Sequence, residues 1–147
     1  MPVRFADVDH AGIVYYPRFF DFFHQCFEEL WRARLGARAY VSLLDQDRVG
    51  FPAVRAECDY KRPLRFGDTA ELELTVARMG ATSITFRYRV YRAAEPAAEA
   101  AALRERVLAA EGKVVTAVVD LARFVAVTPS PAIVALLADL VEGVPET

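Results

Sequence analysis

Pro17-Arg18-Phe19-Phe20-Asp21-Phe22-Phe23-His24-Gln25-Cys26-Phe27-Glu28-Glu29-Leu30-Trp31-Arg32-Ala33-Arg34-Leu35 carries the period of a helix. Phe20, Phe23, Phe27, Leu30 and Trp31 recur at three- and four-residue steps, while Arg18, Asp21, Glu28, Arg32 and Arg34 fill the positions between them. Pro17 suits the first helical position, where its missing N–H would have had no intrahelical partner. Gly36 is a stop signal. The helix is amphipathic and its apolar face is heavily aromatic. Upstream, residues 3–6 read as the end of a first strand, broken by the turn formers of Asp7-Val8-Asp9-His10-Ala11-Gly12.

Downstream the period changes. A short helix is expected over residues 40–44, and after Phe51-Pro52 the alternation becomes two. Val54, Ala56, Cys58 and Tyr60 alternate with Arg55, Glu57, Asp59 and Lys61. Pro63 and Gly67-Asp68 punctuate, and Ala70, Leu72, Leu74 and Val76 then alternate with Glu71, Glu73 and Thr75. Met79-Gly80-Ala81 reads as a hairpin turn into a strand over 83–92. Residues 93–108, rich in Ala and Glu, are expected as a helical or flexible excursion between strands. A final long strand is expected over 114–119 and 124–127, bent near Leu121-Ala122, with a short helix over 133–140 behind Pro129 and Pro131. The expected class is α+β, an antiparallel sheet wrapped around one long helix. One helix cannot cover both faces of such a sheet, so its outer face must meet solvent or another subunit.

Composition narrows the function. A chain of 147 residues is expected to form one domain, and 54% hydrophobic with 26% charged residues excludes a disordered composition. A net charge of −2 argues against a nucleic-acid binder held by a basic surface. Charged residues interrupt every apolar run before bilayer length. The start of the chain, charged almost at once, lacks a signal-peptide core, so a cytoplasmic location is expected. Cys26 and Cys58 form no C-x-x-C pair and read as reduced thiols, and with only His10 and His24 available no metal site is expected.

Chemistry concentrates in Asp7-Val8-Asp9-His10-Ala11-Gly12-Ile13-Val14-Tyr15-Tyr16-Pro17. Two carboxylates and a histidine sit on a tight loop that feeds a helix N-terminus. Backbone N–H groups there can polarise a carbonyl and stabilise an oxyanion. A carboxylate a few residues upstream can act as nucleophile or general base. These are the parts of an acyl-transfer site, although an Asp before a helix also serves simply as a turn former or cap.

The run Asp7-x-Asp9-x-x-Gly12-Ile13-Val14-x-Tyr16-Pro17 closely resembles the 4-hydroxybenzoyl-CoA thioesterase family of hotdog-fold acyl-CoA hydrolases. It is also similar to the Tol–Pal-associated acyl-CoA thioesterases, which often carry His where this chain has Pro17. The likeness extends through the long helix, Gly50-Phe51-Pro52 and the strands after it. It implies Asp9 as the catalytic carboxylate and the Tyr16 backbone N–H as the group that polarises the thioester carbonyl. Phe51, Pro52 and Ala53 fall where the family lines its acyl pocket, usually across a subunit interface, and Asp7 matches a first Asp that looks structural. Gly12 would touch substrate from the loop, and His10 beside Asp9 either tunes the loop, touches substrate or stands simply as a solvated loop histidine.

The likeness has departures. In the 4-hydroxybenzoyl enzyme a basic run on the hairpin holds the nucleotide phosphates, whereas here the stretch is Gly80-Ala81-Thr82-Ser83 with Arg78 nearby. The nucleotide end is then expected on Arg62, Arg65 or Arg78, with Ser83 also at the site. The resemblance implies an acyl-CoA thioesterase for a short-chain or aromatic acyl group, with an acyl-carrier-protein thioester as another donor. It implies no metal or redox cofactor, coenzyme A being part of the substrate. The expected assembly is a homodimer or homotetramer with sites that draw on both chains. The alternative is a non-hydrolytic acyl-CoA-binding or dehydratase-type hotdog protein, in which His10 would pair with Glu28. His24 is expected in helix packing.

Overall fold

The computed structural model describes residues 1–96 and 103–143. The elements run in the order α1 (Arg18–Leu35), α2 (Ala39–Asp45), β1 (Val49–Gly50), β2 (Ala53–Tyr60), β3 (Ala70–Met79), β4 (Ser83–Arg92), β5 (Glu95–Pro96), β6 (Leu103–Arg104), β7 (Val107–Ala117), β8 (Val119–Asp120), β9 (Val125–Ala126) and α3 (Pro131–Leu137). Four strands form the main sheet in the order β2-β7-β4-β3, so β2 and β3 are its edges. No helix among the described residues is long and apolar enough to cross a membrane.

The described residues divide into two compact units, and α1, β2, β3, β4 and β7 each contribute to both. In the first unit, Phe19, Phe22 and Phe23 of α1 are buried with Tyr88 and Val90 of β4. The Phe23 ring stacks on Tyr88 at 4.8 Å. In the second, Phe27 meets Phe86 of β4 edge-on at 5.3 Å, and Trp31 stacks on Phe51 at 5.3 Å. Within each unit the apolar face of α1 therefore packs on residues of β4, as the amphipathic pattern required. The buried stripe runs through Phe19 and Phe22, while Phe20 sits at its half-buried margin. Gly36 ends the helix at φ +100°, donating to the Arg32 carbonyl at 3.0 Å, a backbone state that costs a side-chain-bearing residue.

β4 shows the alternation at its cleanest, with Ile84, Phe86, Tyr88 and Val90 buried and the residues between them half-buried. The hairpin from β3 closes through Gly80 N–H to the Ser83 carbonyl at 2.8 Å, at the turn expected from the sequence. Arg89 of β4 meets Glu111 of β7 at 3.1 Å, and Arg106, just before β7, meets Glu71 and Glu73 of β3 at 2.9 and 3.3 Å.

Three expectations are corrected. Residues 3–6 do not end a strand: the Asp7 carboxylate accepts the Arg4 N–H at 2.8 Å and closes one turn of 3-10 helix, Phe5–Asp7, leaving only a bridge from Pro2 to Thr69. The last long strand begins at Val107 and not at 114. β7 is an interior strand whose small Ala109 and Ala110 are fully buried, and that position overrides the weak strand propensity of Ala and Glu. The described flanks of the 93–108 excursion are β5 and β6, paired antiparallel, with residues 97–102 outside the described residues.

The bend near Leu121 is a full reversal. β8 pairs antiparallel with β9, Val119 opposite Ala126. The Asp120 carboxylate accepts the Ala122 and Arg123 N–H groups, an Asx-type closure of the turn.

Candidate active site

Local hydrogen bonds shape the loop before α1. Val8 and Val14 form an antiparallel bridge, Asp9 N–H donates to the Ile13 carbonyl at 3.1 Å, and Gly12 N–H donates to the Asp9 carbonyl at 3.0 Å. Gly12 takes φ +81°, in the left-handed region that favours glycine, and a Cβ there would meet nothing within 4 Å. The need for glycine is thus conformational and not steric.

Asp9 is exposed. Its Oδ1 accepts the Ala11 N–H at 2.8 Å, and among the described residues its Oδ2 has no hydrogen-bond partner. One oxygen fixes the carboxylate and the other remains available for chemistry. Asp7 is differently placed. Its carboxylate takes the Arg4 N–H and lies 3.7 Å from Arg18 Nε, and its carbonyl takes the Tyr15 N–H at 2.9 Å.

The helix start corrects one expectation. The N–H groups of Arg18, Phe19 and Phe20 are not free, because they donate to the carbonyls of Tyr15, Tyr16 and Pro17 at 2.8, 3.4 and 3.1 Å. The first turn closes in i→i+3 fashion and satisfies donors that a plain helix end would leave open. Among the described residues the Tyr16 N–H has no acceptor. The donor available to a ligand therefore belongs to Tyr16, one residue before Pro17.

Consecutive residues of this segment face different hollows. Asp9, Tyr15 and Pro17 line one of about 510 Å³, together with Arg18 and Asp21. Tyr16 lines another of about 430 Å³, with Val14, Phe19, Tyr60, Arg62 and Leu64. The second hollow is aromatic-walled. Tyr60 lies edge-on to Phe19 at 5.2 Å and to Tyr16 at 6.4 Å, and its hydroxyl donates to the Tyr16 carbonyl at 2.9 Å. Burial pushes the Tyr60 phenol up to about 12, with Cys58 adding to it, so the hydroxyl stays a donor through the neutral range.

The structure thus brings Asp9, Gly12, Tyr16 and Arg62 into one unit, with His10 exposed on the same loop. Arg65 is exposed in that unit as well, its N–H donating to Asp68 at 2.8 Å. Phe51, Pro52, Ala53, Arg78 and Ser83 fall in the other unit. There Phe51 is buried against Trp31 and Phe27, so its ring is core, while Arg78 is exposed on β3 and Ser83 opens β4 behind the hairpin turn. His24 is exposed on α1 and lines neither hollow. Sequence reasoning missed Phe19, Tyr60 and Lys61. The available signal was a strand ending on Tyr60 and running straight into Lys61-Arg62-Pro63. No cluster of His, Cys, Asp and Glu among the described residues could hold a metal ion.

Comparison with known proteins identifies the family and the fold. The profile of the thioesterase-like superfamily matches residues 3–137. A 1,4-dihydroxy-2-naphthoyl-CoA hydrolase of Synechococcus elongatus is 35% identical over 98 residues, covering 67% of this chain and 71% of that one. The fold matches a thioesterase-superfamily structure from Jannaschia sp. with a TM-score of 0.82 at 22% identity, covering 97% of this chain and 91% of the other. It also matches a 1,4-dihydroxy-2-naphthoyl-CoA thioesterase from Synechocystis with a TM-score of 0.76 at 21% identity, covering 95% and 93%. The helices and antiparallel sheets described above thus match the fold of known thioesterase structures.

Proposed function

The chain belongs to the thioesterase-like superfamily and is a thioester hydrolase of hotdog fold; from that premise we propose that it hydrolyses an aromatic acyl-CoA. The observation that carries the reading is the aromatic hollow beside the unpaired Tyr16 N–H. An aryl acyl group fits walls made by Phe19, Tyr16 and Tyr60 through edge-to-face packing. The S. elongatus relative, named for an aromatic acyl-CoA, supports the same class.

In the proposed reaction the thioester carbonyl oxygen takes the Tyr16 N–H. The thioester would lie where the two hollows meet at residues 15–17, and there the Asp9 Oδ2 either attacks the carbonyl carbon or removes a proton from the water that does. The tetrahedral oxyanion is held by the Tyr16 donor, the C–S bond breaks, and the coenzyme A thiolate leaves and takes up a proton. If Asp9 is the nucleophile, water then cleaves the mixed anhydride and restores the carboxylate. A backbone donor that needs no reorganisation contributes through transition-state charge. Lys61 and Arg62, at the same hollow, supply positive charge toward the nucleotide phosphates.

The exposed apolar positions of the β2 edge support assembly into a homodimer. Cys26 and Cys58, both unpaired, suit a reducing compartment such as the cytoplasm. Free-thiol release measured against a panel of aromatic and short-chain acyl-CoAs tests the proposal. The expected result is highest kcat/KM on aryl thioesters. Binding without thiol release would overturn it in favour of a non-hydrolytic acyl-CoA-binding protein.

A further inference from the structure

The peptide that bears the Tyr16 N–H is fixed at its other end. The carbonyl of that peptide belongs to Tyr15 and accepts the Arg18 N–H at 2.8 Å, which turns the Tyr16 N–H away from the helix. The next peptide carries the Tyr16 carbonyl, and the Tyr60 hydroxyl donates to it at 2.9 Å from the end of β2. That bond spans 44 residues of chain and ties the loop to the sheet. The Phe19 N–H reaches the same carbonyl at only 3.4 Å, at the weak end of hydrogen-bond geometry. Tyr60 is therefore the stronger of the two donors that hold Tyr16 on its carboxyl side.

We propose that Tyr60 is a positioning residue for thioester hydrolysis: its hydroxyl clamps the Tyr16–Pro17 peptide and so aims the Tyr16 N–H, while its ring selects aromatic acyl groups. The inference rests on the reading of Tyr16 as the oxyanion donor. The ring and the hydroxyl have separable jobs. The ring stands edge-on to Phe19 and Tyr16 and forms a wall of the hollow, which no change at the hydroxyl disturbs. The hydroxyl donates to the backbone carbonyl of residue 16, with the Cys58 side chain also in hydrogen-bond contact with it. The phenol's high pKa keeps the clamp protonated across the working range of a hydrolase.

Two substitutions and one spectroscopic measurement test this. Tyr60→Phe keeps the ring and removes the donor, and is expected to lower kcat by about tenfold with KM within about twofold, because a misaimed oxyanion donor loses transition-state stabilisation first. Tyr60→Leu removes the wall too and is expected to raise KM for aryl thioesters more than for short-chain ones. The infrared stretch of a carbon-13-labelled benzoyl-CoA carbonyl, bound to protein carrying Asp9→Asn to block turnover, reads the donor directly. It should shift to lower frequency on binding, and adding Tyr60→Phe should remove part of that shift.

A full downshift that survives Tyr60→Phe overturns the role of Tyr60 and leaves Tyr16 intact. No downshift in either protein overturns Tyr16 and the clamp with it. A ring-fluorinated tyrosine at position 60 keeps the shape of the native side chain and lowers the phenol pKa. With Cys58, Tyr16, Lys61 and Arg62 around it unchanged, kcat should acquire a new falling limb at alkaline pH. A profile identical to that of the native protein would overturn the clamp.

Discussion

Arg18 Nε stands 3.7 Å from Asp7 Oδ1, and the same guanidinium donates to Asp21 at 3.0 Å and to the Ala6 carbonyl at 3.2 Å. Asp7 is thereby committed on every side, to Arg4, Arg18 and, through its carbonyl, Tyr15. Asp9, two residues on, spends one oxygen on the Ala11 N–H and keeps the other. The two carboxylates of the motif thus differ in their environment. Asp9→Asn is expected to lower kcat by about 10² or more with substrate binding retained. Near-normal turnover of a folded Asp9→Asn protein in steady-state assays would remove Asp9 from the mechanism.

Asp7→Asn should act on the loop. The substitution keeps an amide oxygen to accept the Arg4 N–H and removes the partly solvated ion pair with Arg18, so the loss is about 0.5–1 kcal/mol of stability. Thermal unfolding should show a lowered Tm, and kcat should fall less than in Asp9→Asn. The reverse order of kcat effects would transfer the chemistry to Asp7.

Both cysteines should be slow nucleophiles. Burial pushes Cys26 up to about 11, with Glu29 adding to it, and burial pushes Cys58 up to about 11 as well. A raised thiol pKa keeps the neutral form across the physiological range. At pH 8 the thiolate fraction is then about a hundredfold below that of an ordinary thiol. Iodoacetamide labelling, followed by mass spectrometry, should be slow at neutral pH and accelerate about tenfold per pH unit up to about pH 11. Rapid labelling of either residue at neutral pH would contradict the burial.

Much of this architecture was legible, and the misses share a cause. The helix over α1 and the alternation of β4 could be read because each buries one continuous face, so periodicity reports burial directly. The start of β7 could not, because Ala109 and Ala110 become strand residues only once neighbouring strands enclose them. At the site, Asp9 and Gly12 stood out by type and spacing. The helix-start N–H groups misled, because i→i+3 closure of the first turn leaves no trace in composition. Tyr60 acquires its place only through the hydrogen bond to Tyr16, a contact that no local pattern encodes.

β2 alternates Val54, Ala56, Cys58 and Tyr60 with charged residues, yet none of its residues is buried within one chain. Val54 is 66% exposed and β2 is a sheet edge. An apolar edge strand left open is an invitation to pair with another chain. The active species is therefore expected to be a dimer that uses this edge. Val54→Lys should yield monomers in sedimentation velocity and lower kcat/KM about tenfold or more, since a buried unpaired ammonium costs several kcal/mol. A monomeric native protein with full activity, or an unaffected Val54→Lys dimer, would exclude this edge.

The last expectation separates backbone from side chain at Tyr16. Tyr16 is 63% exposed, and its phenol makes no hydrogen bond among the described residues. If the group that polarises the carbonyl is the N–H, the phenol is dispensable, and Tyr16→Phe should retain most of kcat. Pro17 is expected to share in that aim with Tyr60. Its ring presets φ at the point where the Pro17 carbonyl must accept the Phe20 N–H at 3.1 Å, and that bond sets the first turn that orients the preceding peptides. Pro17→Gly frees this dihedral without adding bulk. Losing an oxyanion donor outright costs about 10²–10³ in kcat, so loosening one should cost less, on the order of tenfold, with KM changed little. Circular dichroism should show the helix retained in both variants, which assigns the loss to donor geometry and not to unfolding. An inactive Tyr16→Phe beside a fully active Pro17→Gly would move the function from the backbone of residue 16 to its side chain.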